Sequence, residues 1–212
     1  MTGIISNQWT GVILAAGRGS RMKSRLPKVL HQVCGRELIR YPVELMHQLE
    51  INNIFIVVSP ENIASIRQTL GDGFEYVVQS DPKGTGDALE HVLPMMLDGD
   101  RQVLVMNGDV PLLRSESVER LCLSHSNKSA SMSLLTVSDV IDQELGIIHR
   151  DVERRITHIL EAADRPEPES DGLLEANVGV YCFDPKFLEL SINKITANKF
   201  GERYITSLAA IA

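Results

Sequence analysis

The sequence lacks the features that mark several classes of protein. Its three cysteines, Cys34, Cys122 and Cys182, are far apart and without the paired spacing of metal ligands, so neither a disulfide framework nor a structural zinc site is predicted. No apolar run approaches the roughly 20 residues that cross a bilayer. The opening segment MTGIISNQWT also lacks the basic and apolar regions of a secretory signal. We therefore expect a cytoplasmic protein without a membrane partner.

An excess of positive charge is also absent. The 212 residues include 21 basic and 28 acidic side chains, which gives a net charge of −7. Because affinity for nucleic acid depends on neutralising phosphates, this balance argues against a nucleic-acid partner. Nevertheless, five basic side chains lie close together in the stretch LAAGRGSRMKSRLPKVL (14–30), namely Arg18, Arg21, Lys23, Arg25 and Lys28. One basic loop in an acidic chain indicates a small ligand with several negative charges.

Short apolar runs alternate with segments of helical period in the first part of the chain. GVILAAG, NNIFIVVS and RQVLVMNGD predict buried strands, FEYVVQS predicts a weaker one, and helical period extends over 39–49, 61–70, 85–96 and 115–126. Such alternation is typical of βαβ units, and continuous apolar strands are typical of a parallel sheet covered on both faces. After about residue 130, ASMSLLTV, LGIIHR, RITHILE and EANVGVYCF predict an antiparallel or mixed extension with few helices, and ERYITSLAAIA predicts a closing helix.

The predicted fold class is therefore α/β, a Rossmann-like, mostly parallel (mixed) sheet flanked by helices, in a single domain over 1–212. Ligands of open α/β sheets bind beyond the carboxyl ends of the strands. This rule places three segments at one edge of the sheet: the loop at Gly17, the QSDPKGTG turn (79–86) and the NGD turn (107–109). Residues far apart in the sequence are thus expected to share one crevice.

The loop at Gly17 has the chemistry of an anion site. Gly17 and Gly19 permit close backbone approach, and successive free N–H groups in such a loop form a concave site for anions. Pro27 stiffens the backbone before Lys28. The loop is neither a P-loop nor a complete G-x-G-x-x-G motif, because Met22 stands where that motif requires its third glycine. The alternative interpretation is an ordinary turn with a solvated basic face.

Four motifs, in order and with similar spacing, resemble those of the sugar-1-phosphate nucleotidyltransferases: LAAGRGSRM followed by LPK, QSDPKGTGDA, NGDVPLL and GERYIT. The resemblance covers about 11–212 and is closest to the N-terminal uridylyltransferase domain of the bifunctional N-acetylglucosamine-1-phosphate uridylyltransferase/glucosamine-1-phosphate acetyltransferases. It implies a fold of the nucleotide-diphospho-sugar transferase type. It also implies a nucleotide-binding part over about 10–129, a sugar-binding part over about 130–212, and no C-terminal β-helix acetyltransferase domain in this chain.

The reaction implied by the resemblance is the Mg²⁺-dependent transfer of a uridylyl group from UTP to a sugar-1-phosphate. N-acetylglucosamine-1-phosphate is the nearest candidate, and its product, UDP-N-acetylglucosamine, would serve peptidoglycan and cell-wall synthesis. Because the attacking phosphate is already an anion, the reaction requires no general base. It requires positioning of the two substrates and stabilisation of negative charge.

The resemblance also implies roles for individual residues. As the catalytic pair, Arg18 would contact the β- and γ-phosphates and Lys28 the α-phosphate and the incoming phosphate. Asp109 would bind Mg²⁺, and Gln79 and Gly84 would recognise the base. The other implied contacts are to the nucleotide, from Leu14, Ala15, Ala16, Gly17, Gly19, Ser20, Thr85, Asn107 and Gly108, and to the sugar, from Gly146, Glu161 and Asn177.

Several alternatives stay open. The family's Y-G-R-I, V-E-x-K-D and N-T-G appear here as LGII (145–148), LEAAD (160–164) and NVG (177–179), so the sugar is undetermined. Asp87 stands where the family often has histidine and is given no role. The family's second metal ligand, an asparagine on a later strand, has no counterpart in the 212 residues. Another NTP or sugar-1-phosphate, as in thymidylyl- or molybdenum-cofactor nucleotidyltransferases, a non-catalytic nucleotide-binding module, and homo-oligomerisation are the remaining alternatives.

Overall fold

The computed structural model describes residues 8–17, 19, 22–96, 100–141, 144–165 and 174–212. Its strands are β1 (Trp9–Leu14), β2 (Gln32–Val33), β3 (Arg36–Glu37), β4 (Ile54–Val58), β5 (Glu75–Val78), β6 (Gln102–Asn107), β7 (Met132–Val140), β8 (Ile147–Arg150), β9 (Ile156–Leu160) and β10 (Leu174–Phe183). Its α-helices are α1 (Arg40–Gln48), α2 (Ile63–Leu70), α3 (Thr85–Met96), α4 (Ser115–Lys128) and α5 (Pro185–Ser191). None of these described helices combines the length and apolar character needed to span a membrane.

One large sheet has the strand order β5–β4–β1–β6–β10–β8–β9, and β7 pairs with β10. Strands β1, β4, β5 and β6 are parallel, whereas β10 is antiparallel to β6, β7 and β8. The long strand β10 joins the two regions, because Val180–Phe183 pairs with β6 while Ala176 pairs with β8. The predicted α/β class with a mixed, mostly parallel sheet is confirmed, and so is the change to antiparallel pairing in the later part.

The parallel strands are buried on both faces, as their continuous apolar sequences predict. Every residue of β1 and of β4 is buried. Neighbouring residues of β1 point to opposite sides of the sheet, so Ile13 belongs to an apolar cluster with Met46 of α1, and Val12 to a second cluster with Leu89 of α3. Helices therefore cover the sheet from both sides, and the carboxyl ends of the strands are left to form a site.

Helix α5 and the hairpin of β2 and β3 are among the short elements that were not predicted. Helix α5 begins at an Asp-Pro pair, where the Asp184 side chain accepts a hydrogen bond from the Phe187 backbone N–H at 2.9 Å and Pro185 occupies the first turn. The hairpin of β2 and β3 turns at Gly35, whose φ is +76°. The Asp-Pro pair and the glycine turn are both visible in the sequence, but each segment is too short to show the hydrophobic period of a helix or a strand.

The predicted closing helix forms only in part. The segment from Ile205 to Ala210 is a 3₁₀ helix, whereas Tyr204 is extended, with φ −94° and ψ 136°. The preceding backbone pairs instead with the 83–86 turn, because the Arg203 N–H donates to the Lys83 carbonyl at 2.7 Å and the Gly86 N–H donates to the Arg203 carbonyl at 2.8 Å. Because this long-range pairing engages the backbone of Arg203, the helix cannot begin at Glu202 as the sequence predicts.

His125 of α4 is buried where α4, β6 and β7 meet. Its Nδ1 lies 2.9 Å from the Ser133 hydroxyl and its Nε2 2.9 Å from Oε1 of Gln102, and its ring lies 5.8 Å from that of Trp9. Because an amide oxygen can only accept, Nε2 carries the proton and Nδ1 accepts from the hydroxyl. Burial lowers the pKa of His125, and the carboxylate of Asp184 offsets part of that effect.

We expect the free energy of unfolding to decrease as the pH falls below about 6.5, the ordinary pKa of histidine. The unfolded chain then binds a proton that folded His125 resists, and the decrease is complete once the pH reaches the lowered folded-state pKa. His125→Gln should flatten this decrease, whereas the exposed His47→Gln should not. The free energy of unfolding is measured at each pH by chemical denaturation, followed by the fluorescence of Trp9, the single tryptophan. An unchanged pH dependence in His125→Gln would contradict the assignment of the decrease to His125.

Candidate active site

A cavity of about 640 Å³ lies at the carboxyl edge of the parallel strands. It forms where the chain leaves β1, β5 and β6, the position expected for a ligand of an open α/β sheet. The structure brings together most of the residues predicted from the motifs to hold a nucleotide and a metal. Those that line the cavity are Leu14, Ala15, Ala16, Gly17, Gly19, Lys28, Gln79, Gly84, Thr85, Asn107 and Asp109.

The start of the glycine loop is held firmly by the sheet. The Ala15 N–H donates to the Val57 carbonyl at 2.8 Å, and the Ala15 carbonyl accepts from the buried side chain of Asn62 at 2.8 Å. On the other side, the Gly108 N–H donates to the Leu14 carbonyl at 2.9 Å. Gly108 thus supports the glycine loop through its backbone. It does not line the cavity, whereas Asn107 and Asp109 on either side of it do. The predicted phosphate contacts Arg18 and Ser20 lie outside the described residues.

Lys28 is brought to the cavity by its local backbone. Pro27, with φ −51°, precedes the short 3₁₀ helix Lys28–Leu30, whose Val29 and Leu30 are buried. Gly19 has φ +61°, and a β-carbon at that position would lie 2.6 Å from the β-carbon of Lys28. The loop can therefore approach the lysine only because residue 19 is glycine.

The ammonium of Lys28 forms an ion pair with Asp109, which follows β6. Their side chains are 40% and 22% exposed, so both charges remain accessible from the cavity. A phosphate that approached Lys28 and a cation that approached Asp109 would therefore be immediate neighbours. This is the charge arrangement that a metal–triphosphate complex requires.

Asp109 is suited to a hard cation such as Mg²⁺. Among the residues that the structure describes, no three His, Cys, Asp or Glu side chains form a metal-binding group. Mg²⁺ is nevertheless commonly held by one or two carboxylates, with substrate phosphates and water completing its octahedral shell. A single accessible carboxylate beside a phosphate-binding loop fits that mode of binding.

Gln79 lies at the other end of the cavity, directly after β5. Its backbone N–H donates to the Val58 carbonyl at 2.8 Å, and the residue is 2% exposed. Its side-chain Nε2 donates to the Gly84 carbonyl at 3.2 Å and to the Asp87 carboxylate at 2.5 Å. Gln79 is therefore a fixed group of the cavity wall, whereas a turn glutamine without function would be a solvated surface group.

The three residues predicted to bind the sugar are brought together, but beside the cavity. The Asn177 N–H donates to the Gly146 carbonyl at 2.8 Å, and a β-carbon at Gly146 would lie 3.2 Å from Oε2 of Glu161. Glu161 accepts a hydrogen bond from the Thr206 hydroxyl at 2.8 Å, and burial raises the pKa of its carboxyl group, an effect that this hydrogen bond partly offsets. We call Gly146, Glu161 and Asn177 the acceptor cluster.

The acceptor cluster adjoins the cavity through one tight contact. Gly179, two residues after Asn177, has φ +81°, and a β-carbon there would collide with the Asn107 side chain, which lines the cavity. The Asn177 side chain itself is engaged within the protein. Its Nδ2 donates to the buried Tyr181 hydroxyl at 2.6 Å, and its Oδ1 accepts from the Gly179 N–H at 3.0 Å.

Glu202 and Tyr204 are among the residues that line the cavity but were missed from the sequence. The Tyr204 hydroxyl donates to Oε2 of Glu202 at 2.5 Å, and burial, with a smaller contribution from Glu202, raises the pKa of the phenol. Both residues belong to the GERYIT motif, so the motif carried the signal. Their place became evident only through the pairing of Arg203 with the 83–86 turn.

Comparisons with known proteins identify the family of the chain. A family model described as the MobA-like NTP transferase domain matches residues 11–170. The chain belongs to that family. Bifunctional protein GlmU of Limosilactobacillus reuteri is 33% identical over 209 residues, which are 94% of this chain and 44% of the relative. Bifunctional protein GlmU of Prochlorococcus marinus is 36% identical over 202 residues, which are 94% of this chain and 45% of the relative.

A solved structure is also similar to this NTP transferase domain. It comes from Bacillus anthracis, is described as a glucose-1-phosphate thymidylyltransferase in complex with a sucrose, and has a TM-score of 0.77 at 26% identity. The match covers 93% of this domain and 80% of that chain. The resemblance to sugar-1-phosphate nucleotidyltransferases is thereby confirmed, and the chain is a nucleotidyltransferase domain. It spans less than half the length of the two GlmU relatives.

We expect Gly84→Ala to destabilise the protein more than Gly71→Ala. Both glycines have positive φ, +100° and +87°, so both substitutions strain the backbone. Only the β-carbon at Gly84 would collide with the backbone of Arg203, whereas nothing lies within 4 Å of one at Gly71. The difference in unfolding free energy should be about 1–3 kcal/mol, measured by chemical denaturation. Equal losses of unfolding free energy in the two variants would show that the 83–86 turn can shift to relieve the collision.

Proposed function

We propose that this domain transfers a uridylyl group from UTP to a sugar-1-phosphate, with N-acetylglucosamine-1-phosphate as the acceptor, and releases pyrophosphate. The observation that carries the proposal is the shared cavity. A glycine loop, a lysine–aspartate pair and a fixed glutamine meet there at the edge of a parallel sheet. The family membership and the GlmU relatives support the same reaction class.

The chemistry of the reaction matches the charges of the cavity. An oxygen of the sugar-1-phosphate attacks the α-phosphorus of UTP, the bond from that phosphorus to the oxygen bridging to the β-phosphate breaks, and pyrophosphate leaves with the bonding electrons. Because the attacking phosphate is an anion, no side chain needs to remove a proton. Lys28 attracts the α-phosphate and the incoming phosphate, and so reduces the repulsion between two polyanions.

The glycine loop and Asp109 act on the remaining phosphates. Backbone N–H groups of the Ala16–Gly17 region and of Gly19, which line the cavity, would hold the triphosphate, and Arg18 is proposed to contact its β- and γ-phosphates. Asp109 would hold Mg²⁺, which supplies positive charge to the phosphate oxygens on which negative charge collects. These groups position the triphosphate for in-line attack.

The acceptor cluster is the proposed sugar site. Glu161 is a half-buried hydrogen-bond acceptor beside Gly146, where the absence of a side chain leaves room next to its carboxyl group. A hydroxyl or an acetamido N–H of the sugar can donate to such a group. Asn177 retains one side-chain N–H after its bond to Tyr181, because a carboxamide has two.

A second candidate is thymidylyl transfer to glucose-1-phosphate. The similar structure from Bacillus anthracis favours it, since that protein is described as a glucose-1-phosphate thymidylyltransferase. Thymine and uracil present the same imide edge, so Gln79 alone does not separate them. The choice of base and sugar therefore has to be measured.

A matrix of nucleotides and sugar-1-phosphates tests both proposals. UTP, dTTP, CTP, ATP and GTP are each combined with N-acetylglucosamine-1-phosphate, glucosamine-1-phosphate or glucose-1-phosphate, with and without Mg²⁺, and pyrophosphate release is measured. We expect the highest rate with UTP and N-acetylglucosamine-1-phosphate in Mg²⁺. Highest turnover with dTTP and glucose-1-phosphate would favour the second candidate, and nucleotide binding without pyrophosphate release would indicate a binding module.

Lys28→Met should reduce turnover by about 10²–10³-fold, equivalent to about 2.7–4 kcal/mol, by analogy with the loss of one positioned oxyanion donor. Methionine keeps the aliphatic packing against Gly19 and removes only the charge. Lys23→Met is the matched control, because Lys23 is an exposed lysine of the same loop. It should leave turnover nearly unchanged, and an equal loss in both variants would remove Lys28 from its proposed role.

Asp109→Asn should lower turnover by orders of magnitude and raise the Mg²⁺ concentration needed for half-maximal activity, because a neutral amide is a weaker ligand for a hard cation. Asp81→Asn is the control. Asp81 also lines the cavity, but its side chain is 75% exposed and paired with Lys83 at 3.1 Å. Normal Mg²⁺ dependence in Asp109→Asn, with the fold intact by circular dichroism, would exclude Asp109 as the metal ligand.

A further inference from the structure

Asp87 is a buried carboxylate that the proposed reaction does not use. It lies in the first turn of α3, is 8% exposed, and does not line the cavity. Its Oδ2 accepts a hydrogen bond from Nε2 of Gln79 at 2.5 Å. Its only described contact toward the nucleotide is therefore through the side chain proposed to read the base.

The surroundings of Gln79 permit only one orientation of its carboxamide. Nε2 faces two acceptors, the Gly84 carbonyl and the Asp87 carboxylate. If the amide were turned over, its oxygen would face both acceptors, and no hydrogen would lie between them. The Gly84 carbonyl would keep its hydrogen bond from the Ala88 N–H, but the buried Asp87 carboxylate would face the amide oxygen with no donor between them. The reversed orientation is therefore disfavoured.

Asp87 is itself held in place from several directions. A carboxylate in the first turn of a helix interacts favourably with the helix dipole. The guanidinium of Arg203 lies 4.0 Å from Oδ1 of Asp87, and the backbone carbonyl of Asp87 contacts Nδ1 of His91 at 2.9 Å. Arg203 is anchored in turn to the carbonyl groups of Ile192 and Ile195. The group that orients Gln79 is thus part of a rigid network.

The fixed orientation determines what Gln79 can offer a base. Both N–H bonds of its amide point into the protein, and in the described part of the chain no donor reaches Oε1. The amide can therefore only accept from a ligand in the cavity. Uracil presents a donor at N3, whereas the unprotonated N3 of cytosine is an acceptor, so the same contact is favourable for one base and repulsive for the other.

We propose that Asp87 is a specificity-determining positioning residue, which selects uracil over cytosine by holding the Gln79 carboxamide with its oxygen toward the base. The inference deepens the proposed function and rests on it, because it assumes that the base of the nucleotide lies against Gln79. Without the acceptor at Asp87, the amide is restrained by Gly84 alone and can present either its oxygen or its nitrogen.

The test is the ratio of the dissociation constants for UTP and CTP, measured by calorimetry without a sugar-1-phosphate, so that catalysis is not needed. Asp87→Leu removes the acceptor at similar size, and the preference for UTP should fall by about tenfold. Asp87→Asn keeps an oxygen that can accept from Gln79 and should retain most of the preference. Asp87→Ala is a second acceptor-free variant if the leucine variant does not fold, which Trp9 fluorescence reports.

Glu90→Leu is the matched control, because Glu90 lies on the same helix, pairs with Arg203 and has no contact with Gln79 among its described interactions. It should weaken both nucleotides equally or not at all. A wild-type protein that does not prefer UTP would overturn the proposed uridylyl specificity together with this inference. Two other results would overturn only the role of Asp87. One is a wild-type preference for UTP that survives in Asp87→Leu and Asp87→Ala, and the other is an equal loss of that preference in Glu90→Leu.

Discussion

The parallel pairing of β1 with β6 sets the relative positions of the glycine loop and Asp109. Leu14 is opposite Asn107 in the register, and the ladder continues beyond both strands through the hydrogen bond from the Gly108 N–H to the Leu14 carbonyl. The glycine loop and Asp109 therefore leave the sheet at the same level and on adjacent strands. Lys28 reaches the same point because the two residues after it are buried and hold its short helix against the sheet.

A second constraint joins the later part of the chain to the first. The backbone of Arg203 pairs with Lys83 and Gly86, and the Ile205 N–H donates to the Thr85 hydroxyl at 3.0 Å. This pairing brings Tyr204 into the cavity and Thr206 to Glu161. Glycine at residue 84 is required here, since a β-carbon would collide with the facing backbone. One segment thus lines part of the cavity and also contacts the acceptor cluster.

Much of this arrangement could be predicted from the sequence, because buried parallel strands have continuous apolar sequences and their carboxyl ends must share one edge. That reasoning was enough to bring Lys28, Gln79 and Asp109 together. It could not show that Glu202 lines the cavity, since this depends on pairing between segments more than 100 residues apart. Nor could it assign Asp87, whose role depends on the direction of one amide group. The division into a nucleotide-binding and a sugar-binding part remains a prediction.

The irregular pairing of β10 with β7 between Asn177 and Tyr181 has a consequence for how such a protein can diverge. On one side of the irregularity the strand pairs with β6, the neighbouring strand of the parallel region, and on the other it contributes Asn177 to the acceptor cluster. If the acceptor cluster binds the sugar as proposed, substitutions beyond the irregularity can alter sugar choice and leave the register of β6 intact. Gly179 is the exception, because a β-carbon there would collide with the side chain of Asn107, which lines the cavity. The proposed acceptor cluster can thus vary more freely than the one position, Gly179, at which its strand meets the cavity wall.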